Sequence, residues 1–362
     1  IAWNLVQGNG YREDLSVPFD KDIAILRVGP GYEFFLAGVY RVFGHRYSAA
    51  WMANALLLAA TAWVVFALTR RVFPVFRHNR EAGVIAALFI ALSPDLITMS
   101  GMLMSEVLGV FLVALAAHLF FRYRDVRASG SGWNSWRWLK AAALAFAAAT
   151  MVRTPAAFLA LPMFYDFYRK RRFADAAVFA AVVALVFIPW IVRNEAMYHA
   201  FIPTNLAGGY DLLAGNHPGA SGEFEPSALN ETVVTNYGRI AGNAIALHEA
   251  LSFIRHHPFE FLKITANRIS IYFSFARPTG FWFHLHGWSK ALTLASSAVY
   301  SVLLFTLGFW GMYRARTAEK DERERAKLLF WMFVMMPLAI VGIIVETRYR
   351  FLSYPFLAVF AG

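Results

Sequence analysis

Apolar residues in this chain come in long runs broken by short polar gaps, and the pattern changes once. Runs cover about 48–69, 83–101, 104–121, 137–152, 155–168 and 173–192, then 289–313 and 328–345, with a truncated one starting near Phe351. Several reach the roughly 20 residues that an α-helix needs to cross a bilayer. Between the run ending near residue 192 and the one starting near Ser289 lies a segment of different character. Its first part, FIPWIVRNEAMYHAFIPTNLAGGYDLLAGNHPGASGEF over Phe187–Phe224, opens with Pro189 and Trp190 at a span end and Arg193 and Asn194 at headgroup level. It then turns rich in Gly, Asn and Pro, which suits a loop that approaches a ligand closely. The pattern predicts an all-α polytopic membrane protein in four parts. These are a first outer loop with interfacial helices (1–47), a transmembrane bundle of about six spans (48–192), a long outer loop with amphipathic helices (193–288), and C-terminal spans of which the last is truncated (289–362).

Two amphipathic stretches lie outside the runs. GPGYEFFLAGVYRVFG, entered through a Pro-Gly turn, reads as a short helix lying along the interface. Over 239–276, Ile240, Ala244, Leu247, Leu251 and Ile254, then Phe259, Leu262 and Ile269, recur at helical spacing. They are expected to form the packed face of helices on the membrane surface.

Composition agrees with the pattern: 59% of the 362 residues are hydrophobic and 16% are charged, against about a quarter charged in soluble proteins. The formal charge of +11 does not indicate nucleic acid, because the bases sit in short connections between runs. Arg70, Arg71, Arg77 and Arg80, then Arg122–Lys140, then Arg169–Arg172, then Arg314–Lys327 fall in alternate gaps, whereas the opposite short turns hold only Arg153. The positive-inside rule puts the basic gaps in the cytoplasm. The amino-terminal segment, the turn 95–106, residues 193–288 and Glu346–Arg350 are then outside. With no cysteine there is no disulfide and no thiolate metal site.

Candidate chemistry gathers on that outer face. Glu106 starts a span, where an ionisable group is costly and marks function, although Ser105-Glu106 also suits an ordinary helix cap. Asn205, Asn216 and His217 belong to the Gly-rich loop and could line a pocket for a phosphate or a sugar. Arg348, Tyr349 and Arg350 lie between the last full run and the next, and Arg153 adds a cation to the same face. Arginine's rigid donor fork suits an anionic phosphate, so an anionic substrate with a lipid tail accounts for these cations together. The pairs His256-His257 and His284-x-His286 match no metal spacing, and no GxGxxG, P-loop, HExxH or GxSxG pattern occurs. No cofactor is expected, and a divalent metal has no ligand set in the sequence.

An ordered set of motifs resembles the bacterial GT-C-type glycosyltransferases, the family 39-like relatives of protein O-mannosyltransferases and lipid A aminoarabinose transferases. The motifs are AWNLVQGNGY (2–11), RVGPGYEFFLA (27–37), ALSP (91–94) with Ser105-Glu106, PWIVRN (189–194), TNLAGGYDLLAGNHPGASGEF (204–224) and ETRYR (346–350). The resemblance implies a GT-C transmembrane helix bundle in a bacterial inner membrane. It implies transfer of a sugar from a polyprenyl-phosphate donor to a protein, lipid or polysaccharide acceptor on the extracytoplasmic face. It implies Glu106 as the second-loop acid, Arg348 and Arg350 clamping the phosphate, Asn216 and His217 lining the donor pocket, and Arg27 and Tyr32 shaping the acceptor side. The principal catalytic Asp of that pattern precedes the AWNLVQGNGY helix at the end of a first span, so it is expected upstream of Ile1, and both ends of the sequence look cut. The rival reading is a transporter or flippase of lipid-linked or small anionic substrates; against it, the chain has no matching halves. A structural subunit would require no convergence of acid and arginine.

Overall fold

In the computed structural model, which describes residues 1–26, 29–130, 132–223, 228–275 and 285–362, the chain is an all-α bundle with a cap of short helices at one end. Among the described residues, four helices are long and apolar enough to cross a membrane: α3 (Tyr47–Val72), α6 (Glu106–Ala128), α9 (Phe173–Tyr198) and α14 (Gly287–Arg314, with its 3₁₀ extension to Thr317). A fifth candidate is bent by 52° between α4 (Asn79–Ala91) and α5 (Pro94–Ser100). The cause is local. Pro94 cannot continue the helix before it, and Ser93 restarts the chain as an N-cap, its Oγ accepting from Leu96 N. The remaining runs are also helical, as α7 (Gly132–Val152), α8 (Ala160–Arg169) behind a 3₁₀ turn at Thr154–Leu159, and α15 (Lys320–Val341).

Small residues set the packing inside the bundle. Ala114, Ala116 and Ala117 on α6 and Ala142, Ala143 and Ala149 on α7 are fully buried in one core with Phe120, Phe121 and Phe146. Where lipid supplies no hydrophobic drive between helices, such residues let backbones approach and gain dispersion. The closest approach is at Gly311 on α14, where an added Cβ would lie 1.8 Å from the carbonyl oxygen of Phe360 on α16 (Tyr354–Ala361). Gly311→Ala must part these helices. It is expected to destabilise the protein by about 1–3 kcal/mol, read as a lower thermal midpoint in detergent, whereas an unchanged midpoint would mean that this crossing is loose.

The two ends of the bundle differ in charge. At one end Asp125 of α6 takes Arg71 of α3 at 2.7 Å and Arg325 of α15 at 2.5 Å. Nearby, Asp166 of α8 takes Arg124 and Lys170, and Asp175 of α9 takes Arg127. The acids in the basic connections thus tie helix ends together and leave that pole rich in bases. Glu106 and Asp125, at opposite ends of α6, are about 29 Å apart at 1.5 Å per residue, close to one hydrocarbon thickness.

The other pole carries the cap: α1 (Ala2–Val6), α2 (Gly31–Phe43), α10 (Gly208–Gly215), α11 (Ala228–Tyr237), α12 (Arg239–His256) and α13 (Pro258–Tyr272). The interfacial helix expected near residue 31 is α2, with Tyr32, Leu36 and Tyr40 as its buried stripe. On α12 and α13 the expected packing face is reversed. The buried residues are Gly242, Ala246, Ala250 and Phe253, then Ile264, Arg268, Ile271 and Tyr272, while Leu247, Leu251, Phe259, Leu262 and Ile269 are exposed. On α12 the small side chains allow the close approach to α10, and the large apolar ones are exposed.

Candidate active site

A cavity of about 600 Å³ opens where the cap meets the bundle. One wall is apolar, from Leu103, Met104, Val152, Pro155 and Phe158 and from Ala339, Ile340, Ile343 and Ile344 at the end of α15. The other is polar, from Tyr32, Glu33, Arg153, Asn205, Asp211, Arg348 and Tyr349. Five residues singled out in the sequence therefore meet here from four separate stretches: Tyr32, Arg153, Asn205, Arg348 and Tyr349.

Glu106 is placed just beneath this wall, 2% exposed, and does not line the cavity. Its Oε1 lies 3.3 Å from Arg153 Nη1 and 3.6 Å from Arg348 Nη1, and Arg153 also donates to Ser105 Oγ. Arg348 is further paired with Glu346. Both guanidinium groups stand over the ring of Tyr349, at 5.2 and 5.4 Å from its centroid. The arrangement holds two cations side by side at the cavity wall, their mutual repulsion offset by one buried carboxylate. Burial raises the carboxyl pKa of Glu346 against the opposing pull of Arg348.

Asp211 was not picked out in the sequence, and it lines the cavity directly. It sits in the first turn of α10, where an acid favours the helix dipole. Burial pushes its pKa up to about 6, Arg153 working against the shift and Glu346 adding to it. The signal was present: it is the only acid between Glu195 and Glu223.

Four expected ligands lie elsewhere. Arg350 is 1% exposed and points into the bundle, bonded to Tyr354 Oη, Ser301 Oγ and the carbonyl of Ser274, with Asp95 Oδ2 at 3.5 Å. The reason is the 3₁₀ turn Thr347–Ser353. At three residues per turn, positions 348 and 350 point about 120° apart, so only one can face the cavity. Asn216 does not line a pocket but is fully buried, its Nδ2 donating to the carbonyls of Leu212, Gly342 and Ile343 and its Oδ1 accepting from Arg268. His217 is outside the cavity lining, its Nδ1 3.0 Å from the carbonyl oxygen of Pro218. Arg193 lies among the rings of Tyr11, Trp190 and Tyr198 and donates to Asn194 Oδ1, also away from the cavity. Arg27 falls outside the described residues, as does His284. Among the described residues no three acids or histidines gather as a metal site.

What fixes the polar wall is a buried arginine. Arg268, on α13, donates to the carbonyl of Gly215, which ends α10, and to that of Val341, which ends α15. It also bonds Asn216 Oδ1 and the carbonyl of Gly222. A cation is held here by two helix C-termini, where carbonyls lack partners and the dipole is negative. Burial lowers its pKa to about 10. From the other side, Gly209 N donates to Asn243 Oδ1 and Tyr210 Oη to the carbonyl of Arg239, both on α12. A Cβ on Gly209 would lie 2.1 Å from the Asn243 carbonyl oxygen, so only glycine permits this contact. Helix α10, and with it Asp211, is thus clamped between α12 and the end of α15.

Residues 27–192, just under half of the chain, match the family model of dolichyl-phosphate-mannose-protein mannosyltransferase. No curated protein matches the chain significantly in sequence. Among solved structures, the chain is similar to the oligosaccharyltransferase AglB of Archaeoglobus fulgidus in complex with an inhibitory peptide and a dolichol-phosphate. That likeness has a TM-score of 0.53 and 17% identity over 92% of this chain and 41% of that one. The apo form of the oligosaccharyltransferase from that organism gives 0.52 and 16% over the same shares. ArnT of Cupriavidus metallidurans in the apo state gives 0.45 and 12%, over all of this chain and 71% of that one. The chain spans about two fifths of the length of the first structures it matches. The expected resemblance to GT-C-type glycosyltransferases is borne out, and the fold is the GT-C-type helical bundle.

Proposed function

We propose that this protein is an integral-membrane glycosyltransferase moving a sugar from a polyprenyl-phosphate donor to an acceptor on the extracytoplasmic face of a bacterial inner membrane. The observation that carries the reading is the pair Arg153 and Arg348 at the wall of a half-apolar cavity. The apolar wall suits an isoprenoid chain, and the two cations suit its phosphate. In transfer from such a donor the leaving group is itself a phosphate, so charge grows on its oxygen as the glycosidic bond breaks. Cations held there in advance stabilise that charge without reorganising, and their donor forks match phosphate oxygens. Glu106 is then a positioning group, keeping both guanidiniums aimed at one place. The family match and the dolichol-phosphate held by the archaeal oligosaccharyltransferase support a lipid-linked donor. The base-rich pole, at the far end of α6 from Glu106, supports an extracytoplasmic cavity through the positive-inside rule. In the four-part division at residues 47, 192 and 288, the bundle and the C-terminal spans supply the apolar wall with Arg153 and Arg348, and the two outer loops supply Tyr32, Glu33, Asn205 and Asp211. The acceptor is a protein, a lipid or a polysaccharide.

Deleting the gene in its source cell tests this reading. The expected result is loss of one sugar from a surface glycan and accumulation of its polyprenyl-phosphate-linked form on the outer leaflet. The wild-type full-length protein restores the glycan, and Arg153→Ala leaves transfer about 10- to 100-fold lower, the range for losing a charge-assisted hydrogen bond. A lipid-linked sugar trapped on the cytoplasmic leaflet would instead indicate a flippase.

A further inference from the structure

We infer that this protein binds an anionic phospholipid at its base-rich pole, in a groove between α14 and α15 at the end of the bundle opposite the cavity. The site is separate from sugar transfer and does not depend on it. The groove holds about 280 Å³. On α15 it is lined by Arg323, Ala326, Lys327 and Phe330, whose spacing of three, four and seven residues puts them on one face of the helix. Met312, Ala315 and Arg316, at the end of α14 and in its extension, form the facing wall, and Phe360 of α16 also lines it. Met312, Ala315 and Ala326 are buried and make an apolar floor, whereas the three cations are exposed at the rim.

The acids of this stretch are engaged elsewhere. Asp321 pairs with Arg325, Glu324 pairs with Arg169, and Glu322 accepts from the backbone N–H groups of Val75 and Phe76. Glu319 lies outside the groove lining. Among the described residues, Arg316, Arg323 and Lys327 take no ion pair, and Arg316 stands over the ring of Tyr313 at 5.7 Å. Three like charges around one small groove repel, and an anion placed among them relieves that cost. Basic residues in a connection also set topology, but that role needs no groove. Arg71, Arg124, Arg127 and Arg325 serve it while paired with Asp125, Asp166 and Asp175. What distinguishes this site is apolar surface directly beneath unpaired cations, which matches the two halves of a phospholipid. The phosphate meets the cations, and the glycerol and first acyl carbons meet Met312 and Phe330. Basic pockets between spans bind anionic headgroups in this way. The depth also fits. Trp310 and Tyr313 on α14 and Trp331 on α15 are exposed beside the groove residues, and such rings collect at the headgroup level. Lys327 is the last charged residue before the apolar run of α15.

The test uses the purified full-length protein in detergent with equal amounts of phosphatidylglycerol and phosphatidylcholine, the retained lipids being counted by native mass spectrometry. The wild type should hold one phosphatidylglycerol about 100-fold more tightly than phosphatidylcholine, from roughly fivefold for each of three bases near an anionic headgroup. Arg316→Gln, Arg323→Gln and Lys327→Gln together should remove that preference. Arg77→Gln, Arg80→Gln and Lys140→Gln together take the same charge from exposed bases outside the groove, and should leave most of it. Equal retention of the two lipids by the wild type overturns the inference. So does an equal loss in both triple variants, which would mean attraction by the whole pole. Inorganic phosphate competing as well as phosphatidylglycerol overturns it too, because the apolar floor would then bind nothing. If the groove triple variant does not fold, its single replacements decide. Each should lower the preference by about fivefold, and no change in any of them overturns the inference.

Discussion

Replacing Arg348 with alanine is expected to reduce sugar transfer by at least about 100-fold while leaving a folded, extractable protein. Arg348 is one of two cations on the cavity wall and meets Glu106 on one side and Glu346 on the other. Its loss removes a phosphate contact, worth about 1.5–3 kcal/mol for a charge-assisted hydrogen bond. It also frees the Glu346 carboxylate to repel the same phosphate, so the effect exceeds that of a simple contact. Arg153 still neutralises Glu106, which is why the fold survives. Lysine at 348 keeps the charge but lacks the planar fork, and intermediate activity is expected. Transfer rates of the alanine and lysine variants, measured beside protein yield from membranes, check this. Wild-type rates in Arg348→Ala would mean that the phosphate sits elsewhere.

The second large effect concerns stability. Arg268→Ala is expected to cost about 3–5 kcal/mol, because several buried acceptors lose their donor at once and each such loss costs about 1–3 kcal/mol. Four acceptors, the carbonyls of Gly215, Gly222 and Val341 and Asn216 Oδ1, lose their donor in a site that excludes water. Two of them end helices α10 and α15, so both termini are left uncapped. Lysine is expected to recover little, because a single ammonium cannot reach acceptors that the guanidinium spans. The consequence should be local first: faster hydrogen exchange over 208–223, where Asp211 sits, before any change in α3 or α6. Uniform exchange loss over the whole bundle would show that Arg268 supports the fold at large and not the clamp on α10.

The bundle was largely legible from the sequence because its physics is one-dimensional. Apolar runs of bilayer length must become helices, since lipid leaves backbone groups no other partners. Basic gaps in alternate connections mark one pole. The site was legible only in part, and the reasons are local. Tyr32, Arg153, Asn205, Arg348 and Tyr349 were expected together and line one cavity. Arg350 was misplaced because ETRYR reads as a free loop, whereas it folds as a 3₁₀ turn that sends 348 and 350 in different directions. Asn216 was misplaced because the Gly-rich stretch reads as a ligand loop, yet GGYDLLAG is helix α10 and Asn216 is the side chain that seals its end. The packing stripes on α12 and α13 were inverted for a related reason. Hydrophobic periodicity picks out large residues, but on α12, which meets α10 closely, glycine and alanine make the contact, and on α13 the buried stripe is built around the charged Arg268. Asp211 carried a signal, a lone acid in a polar-poor stretch, that gains meaning only once the cavity is seen.

The account rests on a polyprenyl phosphate whose phosphate group lies against Arg153 and Arg348. The most direct measurement is binding to the purified full-length protein in detergent of two matched lipids, a polyprenyl phosphate and the corresponding polyprenyl alcohol. The wild type should bind the phosphate at least about 100-fold more tightly, the preference expected from two charge-assisted contacts, and Arg153→Ala with Arg348→Ala should erase the difference while still binding the alcohol. Equal binding of the two lipids by the wild type, or an unchanged preference in the double variant, would contradict the account.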